Sequence, residues 1–268
     1  MLSDFIEPPT QEYINYTKKI FLKLGLTVNG TVTDLGKFIS GLPVSPIQGI
    51  TIYTAWVLNC VKDVIAIIVF SDVIKYNIAE LFTFNKNEEN PKIIKKYEEA
   101  KKRLMKKHSD HYSLLRIFFG YRRLKKESEK KLNEWLNENY LKKNILDKVD
   151  TYYKKLKHDC IHKVKKFAEQ NKDEIQNKIK EINIQDFKSR EKVLAALTKG
   201  HFLNIAHLSS YGYRTEKIKN AKISKDSWMI GTEKKRVLYS EMFTTAGSSY
   251  MQINSHISNK IVKLTKNL

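Results

Sequence analysis

The hydrophobic pattern changes period once along this chain, near His207, and that change limits the folds open to it. Before it, apolar residues recur at helical spacing, as in Tyr13, Tyr16, Ile20 and Leu24. After it come short β-rich runs at 211–215, 221–224, 228–230, 236–239 and 250–253, separated by turn residues. A helical region followed by five short strands predicts a mainly α chain that ends in a small β-barrel.

Local signals divide the helical part further. Pro8-Pro9 stiffens the chain ahead of a helix that Thr10 can cap and Gly25 can end. Asn29-Gly30 lies between two Thr/Val runs, a strong signal for a two-residue hairpin. Asp34, Leu35, Phe38 and Ile39 then open a short helix that Gly41 and Pro43 end. Helix, hairpin and helix predict a winged-helix unit over residues 1–50. Residues 51–206 are expected to form a helical bundle, with an unusually Lys-rich insertion at about 144–185. Residues 207–268 are expected to form a barrel of the OB-fold kind. Within the bundle, 47–84 reads as two or three helices buried on several sides, and 85–91 as a turn or linker. Residues 114–124 and 132–146 read as amphipathic helices, 152–182 as a long, mostly solvated helix or helical hairpin, and 190–206 as the last helix. Asp110 is expected to cap the helix that follows it.

Charge adds a functional constraint. The chain of 268 residues carries a net charge of +20. Residues 1–85 carry net −1, residues 86–180 net +13 and residues 181–268 net +8. A near-neutral packing module is thus followed by a basic region that attracts polyanions, nucleic acid first. Lysine outnumbers arginine 42 to 7 among abundant Asn and Ile, usage that fits an AT-rich genome such as that of a large DNA virus or a protist.

The chemistry-bearing residues exclude more than they assign. Gly36-Lys37 is followed by Phe38 and lacks the preceding glycine of a phosphate loop, so no ATPase activity is expected of these residues. Cys60 and Cys160 are the only cysteines, too few for a disulfide framework or a four-cysteine zinc site, and they fit a reducing compartment. His158 and His162 lie one helical turn apart, but no second ligand pair matches them, so they read as part of a solvated helix. The apolar stretch 57–70 is interrupted by Asn59, Lys62 and Asp63 and is too short to span a bilayer. Asp4 and Glu7 replace the basic start of a signal peptide, so none is expected. No predicted helix joins a strongly basic face to a broad apolar one, and no membrane partner is expected. Basic residues mixed with aromatics are more informative. Tyr211, Tyr213, Arg214, Lys217 and Lys219, with Lys235 and Arg236 on a later strand, would give one barrel face stacking platforms and cations for single-stranded nucleic acid. The alternative is that Tyr213 and Tyr239 are core and the lysines ordinary surface.

A series of segments resembles the C-terminal half of DEAH/RHA-type RNA helicases. In order they are Asp4-Phe5-Ile6-Glu7-Pro8-Pro9, Leu24-Gly25, Thr33-Asp34-Leu35-Gly36 with Leu42-Pro43-Val44-Ser45-Pro46, and Ser109-Asp110-His111-Tyr112-Ser113-Leu114-Leu115. Residues 135–141, the run 193–215 that includes Asn204-Ile-Ala-His-Leu208 and Gly212-Tyr-Arg-Thr215, and 237–245 follow. Ser224-Lys-Asp-Ser-Trp228 departs from the family's His-Pro before a serine, and 144–185 matches poorly. The resemblance covers about 250 residues and implies winged-helix, ratchet-like helical and OB-fold units that guide and clamp single-stranded RNA. The two RecA domains, with the ATP and Mg site, would belong to the parent chain; this part would hold no cofactor, and the start at Met1 reads as a fragment. The expected partners are single-stranded RNA, those RecA domains and a protein activator, inside the cell in the cytoplasm, nucleus or a viral factory. The alternative is a protein-interaction platform without direct RNA binding.

Overall fold

The structure, a computed structural model, describes residues 7–268 except Asn85, Lys86, Lys107, Asn183 and Asn267, with the backbone alone at Glu174, Lys178 and Glu181. Asp4-Phe5-Ile6 of the leading motif and Asn85-Lys86 of the expected linker lie outside those residues.

Local chemistry sets the first elements. Thr10 accepts from the Tyr13 N–H and starts α1 (Gln11–Lys23), and Gly25 follows it at φ 71°. Strands β1 (Thr27–Val28) and β2 (Thr31–Val32) pair in register Val28 to Thr31. Asn29 and Gly30 both have positive φ, 48° and 80°, as the tight two-residue turn requires. Thr33 then does two things. Its hydroxyl donates to the Gly25 carbonyl at 2.7 Å and accepts from the Gly36 N–H, so it closes the hairpin base and caps α2 (Asp34–Ser40).

Ser45 and Gln48 form a capping box at the start of α3 (Pro46–Val57). This helix and α4 (Val61–Val73) carry apolar residues on nearly all sides, and both are correspondingly buried; Ile52, Val64, Ile65 and Phe70 are fully enclosed. Around them lie α5 (Pro91–Leu104), α6 (Asp110–Glu127), α7 (Glu129–Glu138), α8 (Lys143–Gln170), α9 (Lys172–Ile182) and α10 (Ser189–Gly200). The expected helix 132–146 is two helices. The Tyr140 backbone turns to φ 53°, and its carbonyl accepts from Thr83 N–H at 2.8 Å while Lys142 N–H donates to the Leu81 carbonyl. That exchange with a distant strand-like segment outcompetes helix continuation. The Lys-rich stretch is mostly solvated, as expected, and breaks at Asn171 between α8 and α9. Its first helix begins earlier than expected, at Lys143, and carries Tyr153, Cys160 and Val164 as a buried stripe in a helix that packs on α4.

The barrel is closed and antiparallel except for one pair. It comprises β3 (Ile205–Ser209), β4 (Gly212–Arg214), β5 (Ala221–Ile223), β6 (Arg236–Thr245) and β7 (Ser248–His256), in the order β3-β4-β5-β7-β6. The β5–β7 pair is parallel. Several assignments move from the sequence reading, among them β6 and β7, which extend past the expected 236–239 and 250–253. The last bundle helix stops at Gly200 rather than 206, and Ile205-Ala206 already belong to β3. Residues 228–230 form turns rather than a strand, because Trp228 bonds to the helices and the N–H groups of Met229 and Ile230 turn back onto Ser227. After the barrel, α11 (Asn259–Lys266) returns to pack on α10, with Lys260 Nζ 3.2 Å from the Glu191 carboxylate. No helix among the described residues is long and apolar enough to cross a membrane.

Candidate nucleic-acid interface

A buried polar joint fixes the barrel on the helices. Ser109, rather than Asp110, caps α6, accepting from Tyr112 N–H. Asp110 instead turns into the barrel, fully buried, and accepts from Ser227 Oγ at 2.6 Å, Trp228 N at 2.9 Å and Asn254 N at 2.7 Å. His111 bonds through Nδ1 to Ser255 Oγ at 2.7 Å and through Nε2 to Ser240 Oγ at 2.8 Å. Ser109 Oγ meets Ser255 Oγ at 2.6 Å. The Trp228 indole N–H donates to the Lys101 carbonyl at 3.0 Å and so ties the 224–232 loop to α5. Three consecutive residues, Ser109, Asp110 and His111, thus all serve the same junction.

Burial holds the His111 pKa down at about 3, with the charge of nearby His201 as a smaller cause. A lowered folded-state value means that its contribution to stability is complete above the unfolded value of about 6.5 and is lost as pH falls toward the folded value. At pH 5 the loss from this one group is about 2 kcal/mol, from roughly 1.5 pH units at 1.36 kcal/mol each. His111→Gln keeps a bonding side chain without the titration. Its unfolding free energy, relative to wild type, is expected to gain about 2 kcal/mol between pH 7.5 and pH 5 in urea titrations. An unchanged difference would show that the joint does not hold His111 neutral.

The barrel divides the sequence-predicted binding residues. Tyr211 lies at the tip of the β3–β4 turn, 84% exposed. Tyr213 points into the barrel core, and its hydroxyl accepts from Lys234 N–H and donates to the Thr232 carbonyl; it is core, not a stacking platform. Arg214 is exposed, and Arg236 is half-buried. Register sets His207 opposite Arg214 on one side and Arg236 on the other, so the three share one outward row. Lys219 and Lys235 are exposed. Lys217 is engaged elsewhere: its ammonium lies 4.2 Å from the centroid of the Tyr16 ring on α1.

A groove of ≈ 680 Å³ crosses one end of the barrel, between the β3–β4 hairpin, β5, the 224–233 loop and the β6–β7 hairpin. Sequence reasoning missed its floor. Phe243 and Tyr250 are register partners, and their rings stack at 5.3 Å and 22°. Lys222 is the register partner of Tyr250 on the next strand, so the three residues form one cross-strand row. Leu208 and Ile230 add exposed apolar surface, Lys225 a second cation, and Asp226 and Glu233 make part of the wall acidic. The signal that could have found the pair is the turn at Ala246 (φ 47°) and Gly247 (φ 73°). Placing that turn extends both strands and sets Phe243 opposite Tyr250.

Burial pushes the thiols of Cys60 and Cys160 up to about 12 and about 11, which keeps them inert. Among the described residues no group of three or more His, Cys, Asp or Glu side chains is placed to hold a metal ion. No known family model matches the chain.

Proposed function

We propose that this chain guides and clamps single-stranded RNA as the accessory module of a DEAH/RHA-type helicase whose RecA domains would supply ATP hydrolysis. The stacked Phe243–Tyr250 pair beside Lys222 in the barrel groove carries the reading. Flat rings accept bases of any identity, and adjacent cations track the phosphates. A five-stranded closed barrel with one parallel pair supports an OB-fold, in which such a groove is the usual oligonucleotide site. The hairpin set between α1 and α2 supports a winged-helix unit. The ordered series of helicase-like segments supplies the parent activity.

The test is fluorescence anisotropy with a labelled single-stranded RNA at several salt concentrations. With about four phosphates neutralised, log affinity is expected to fall with log salt at a slope of about −3. Reversing Arg214, Lys222, Lys225 and Lys235 to Glu should weaken binding and flatten the slope by roughly 0.7 per lost contact. Phe243→Ala should cost about 1–3 kcal/mol at every salt concentration. Unchanged binding in both folded variants would remove the groove from the RNA path.

A second reading, a docking platform for a protein activator, draws on a different surface. Tyr13, Leu22, Val28 and Val32 expose 69%, 57%, 53% and 49% of their surface on α1 and the hairpin, in the near-neutral part of the chain. Absence of RNA binding by the wild type would favour it.

A further inference from the structure

A chain that uses lysine for most of its cations has seven arginines, and three of them line one pocket between α5, α6 and α7. Arg116 and Arg123 are seven residues apart on α6, two turns or about 10 Å along one stripe, with Phe119 and Gly120 between them. Arg103 comes from the last turn of α5. Trp135 on α7 closes the floor, and a Cβ on Gly120 would meet its ring at 3.6 Å. That distance is an ordinary van der Waals contact, so the indole lies directly over this part of α6. The pocket has a volume of ≈ 650 Å³ and shares no residue with the barrel groove.

Two of the three guanidiniums are already oriented. Arg103 Nη2 donates to the Glu138 carbonyl at 2.9 Å, and Arg116 Nη1 donates to the Arg103 carbonyl at 3.0 Å. Each thereby satisfies a carbonyl at or near the C-terminus of a helix and retains further N–H donors. A fork held in this way binds phosphate at a smaller entropy cost than a free lysine. Phe119, 37% exposed, and the half-buried Trp135 supply flat apolar surface beside the forks. Among the described residues Glu138 is the one carboxylate residue of the lining, and Glu127 lies outside it, 3.7 Å from Arg123 Nε; three arginines against these two leave the site net cationic. We infer that this pocket binds a nucleoside phosphate, with the base against Trp135 and Phe119 and the phosphate on the arginines. A bare anion would use the forks but not the rings, and an apolar ligand the rings but not the forks.

The experiment titrates the intact chain with adenosine 5′-monophosphate, adenosine, inorganic phosphate and a single-stranded oligoadenylate, reading tryptophan fluorescence. The nucleotide is expected to quench saturably, and Trp135→Phe should abolish the quench while calorimetric affinity stays within about threefold. Adenosine and phosphate alone should each bind at least about tenfold more weakly. Arg116→Lys with Arg123→Lys should weaken nucleotide binding about tenfold, the equivalent of one charge-assisted hydrogen bond. Arg123→Lys alone leaves both carbonyl bonds intact and should still cost about threefold. Quenching by the nucleotide, with or without quenching by the oligonucleotide, supports the inference. Quenching by the oligonucleotide alone would overturn it, leaving only a contact along an RNA strand. Absence of saturable quenching, full affinity in the lysine variants, or displacement by inorganic phosphate or polyglutamate as effective as by nucleotide would overturn it. The barrel charge reversals should leave this binding unchanged, so the two sites fail separately.

Discussion

Replacing Asp110 with alanine is expected to destabilise the protein by about 3–5 kcal/mol, because it leaves three buried donors unsatisfied at about 1–3 kcal/mol each. The carboxylate accepts from one hydroxyl and two backbone N–H groups across the joint, and all three donors would be left in a site without water access. Asp110→Asn keeps the shape and one accepting oxygen and should cost less, about 1–3 kcal/mol. The two variants also differ from wild type in pH dependence. Burial pushes the Asp110 carboxyl up to about 6, against the three bonds that lower it. A raised folded-state value means that this group's contribution is present below about pH 4 and is lost as pH rises through about 6. Both substitutions should remove that loss. Urea unfolding at pH 4.5 and pH 7 would show the destabilisation growing smaller at the higher pH. A destabilisation below 1 kcal/mol for alanine would mean that the barrel is held by apolar packing alone.

Gly200→Ala is expected to cost about 2–4 kcal/mol, as overpacking at a tight helix contact does. Gly200 ends α10 where it crosses α3, and an added Cβ would run into Thr51 Oγ1 and come within 2.8 Å of the Ile47 carbonyl. Thr51 Oγ1 donates to that same carbonyl, so neither obstacle can simply rotate away. Thr51→Ala removes the first obstacle and leaves the second. The double variant should therefore recover about 1 kcal/mol relative to the sum of the single changes. Strict additivity in denaturant titrations would show that α10 shifts as a body to admit the methyl group.

The sequence was most legible where structure depends on neighbours in the chain. Asn29-Gly30 dictates its turn and Thr10 its cap, because each acts within a few residues. It was least legible where the deciding partner is far away. The apolar, β-prone look of Trp228-Met-Ile230 suited a strand, but the run is held by Asp110 and Lys101, more than a hundred residues earlier. Ile205 continues the helical spacing of 193–200, so the true helix end was hidden until the α3 contact placed it. Tyr213 and Arg214 show the same limit within the binding residues. Adjacent strand residues face opposite ways, and which one faces out depends on a register that the local sequence does not fix. Lysine and arginine counts predicted a polyanion partner without revealing that three arginines converge.

The return of α11 onto α10 has a consequence for the order of events in folding. The α10 face that α11 covers is made before the barrel, and its cover only after it. Seating α11 first would close a loop containing every barrel strand, at an entropic cost that rises only slowly with loop length but is met before any strand pairing offsets it. Forming the barrel first shortens that loop, because β3 and β6–β7 bring its two ends to one side. The slow step should therefore be barrel assembly, with its distant pairings, followed by rapid docking of the last helix.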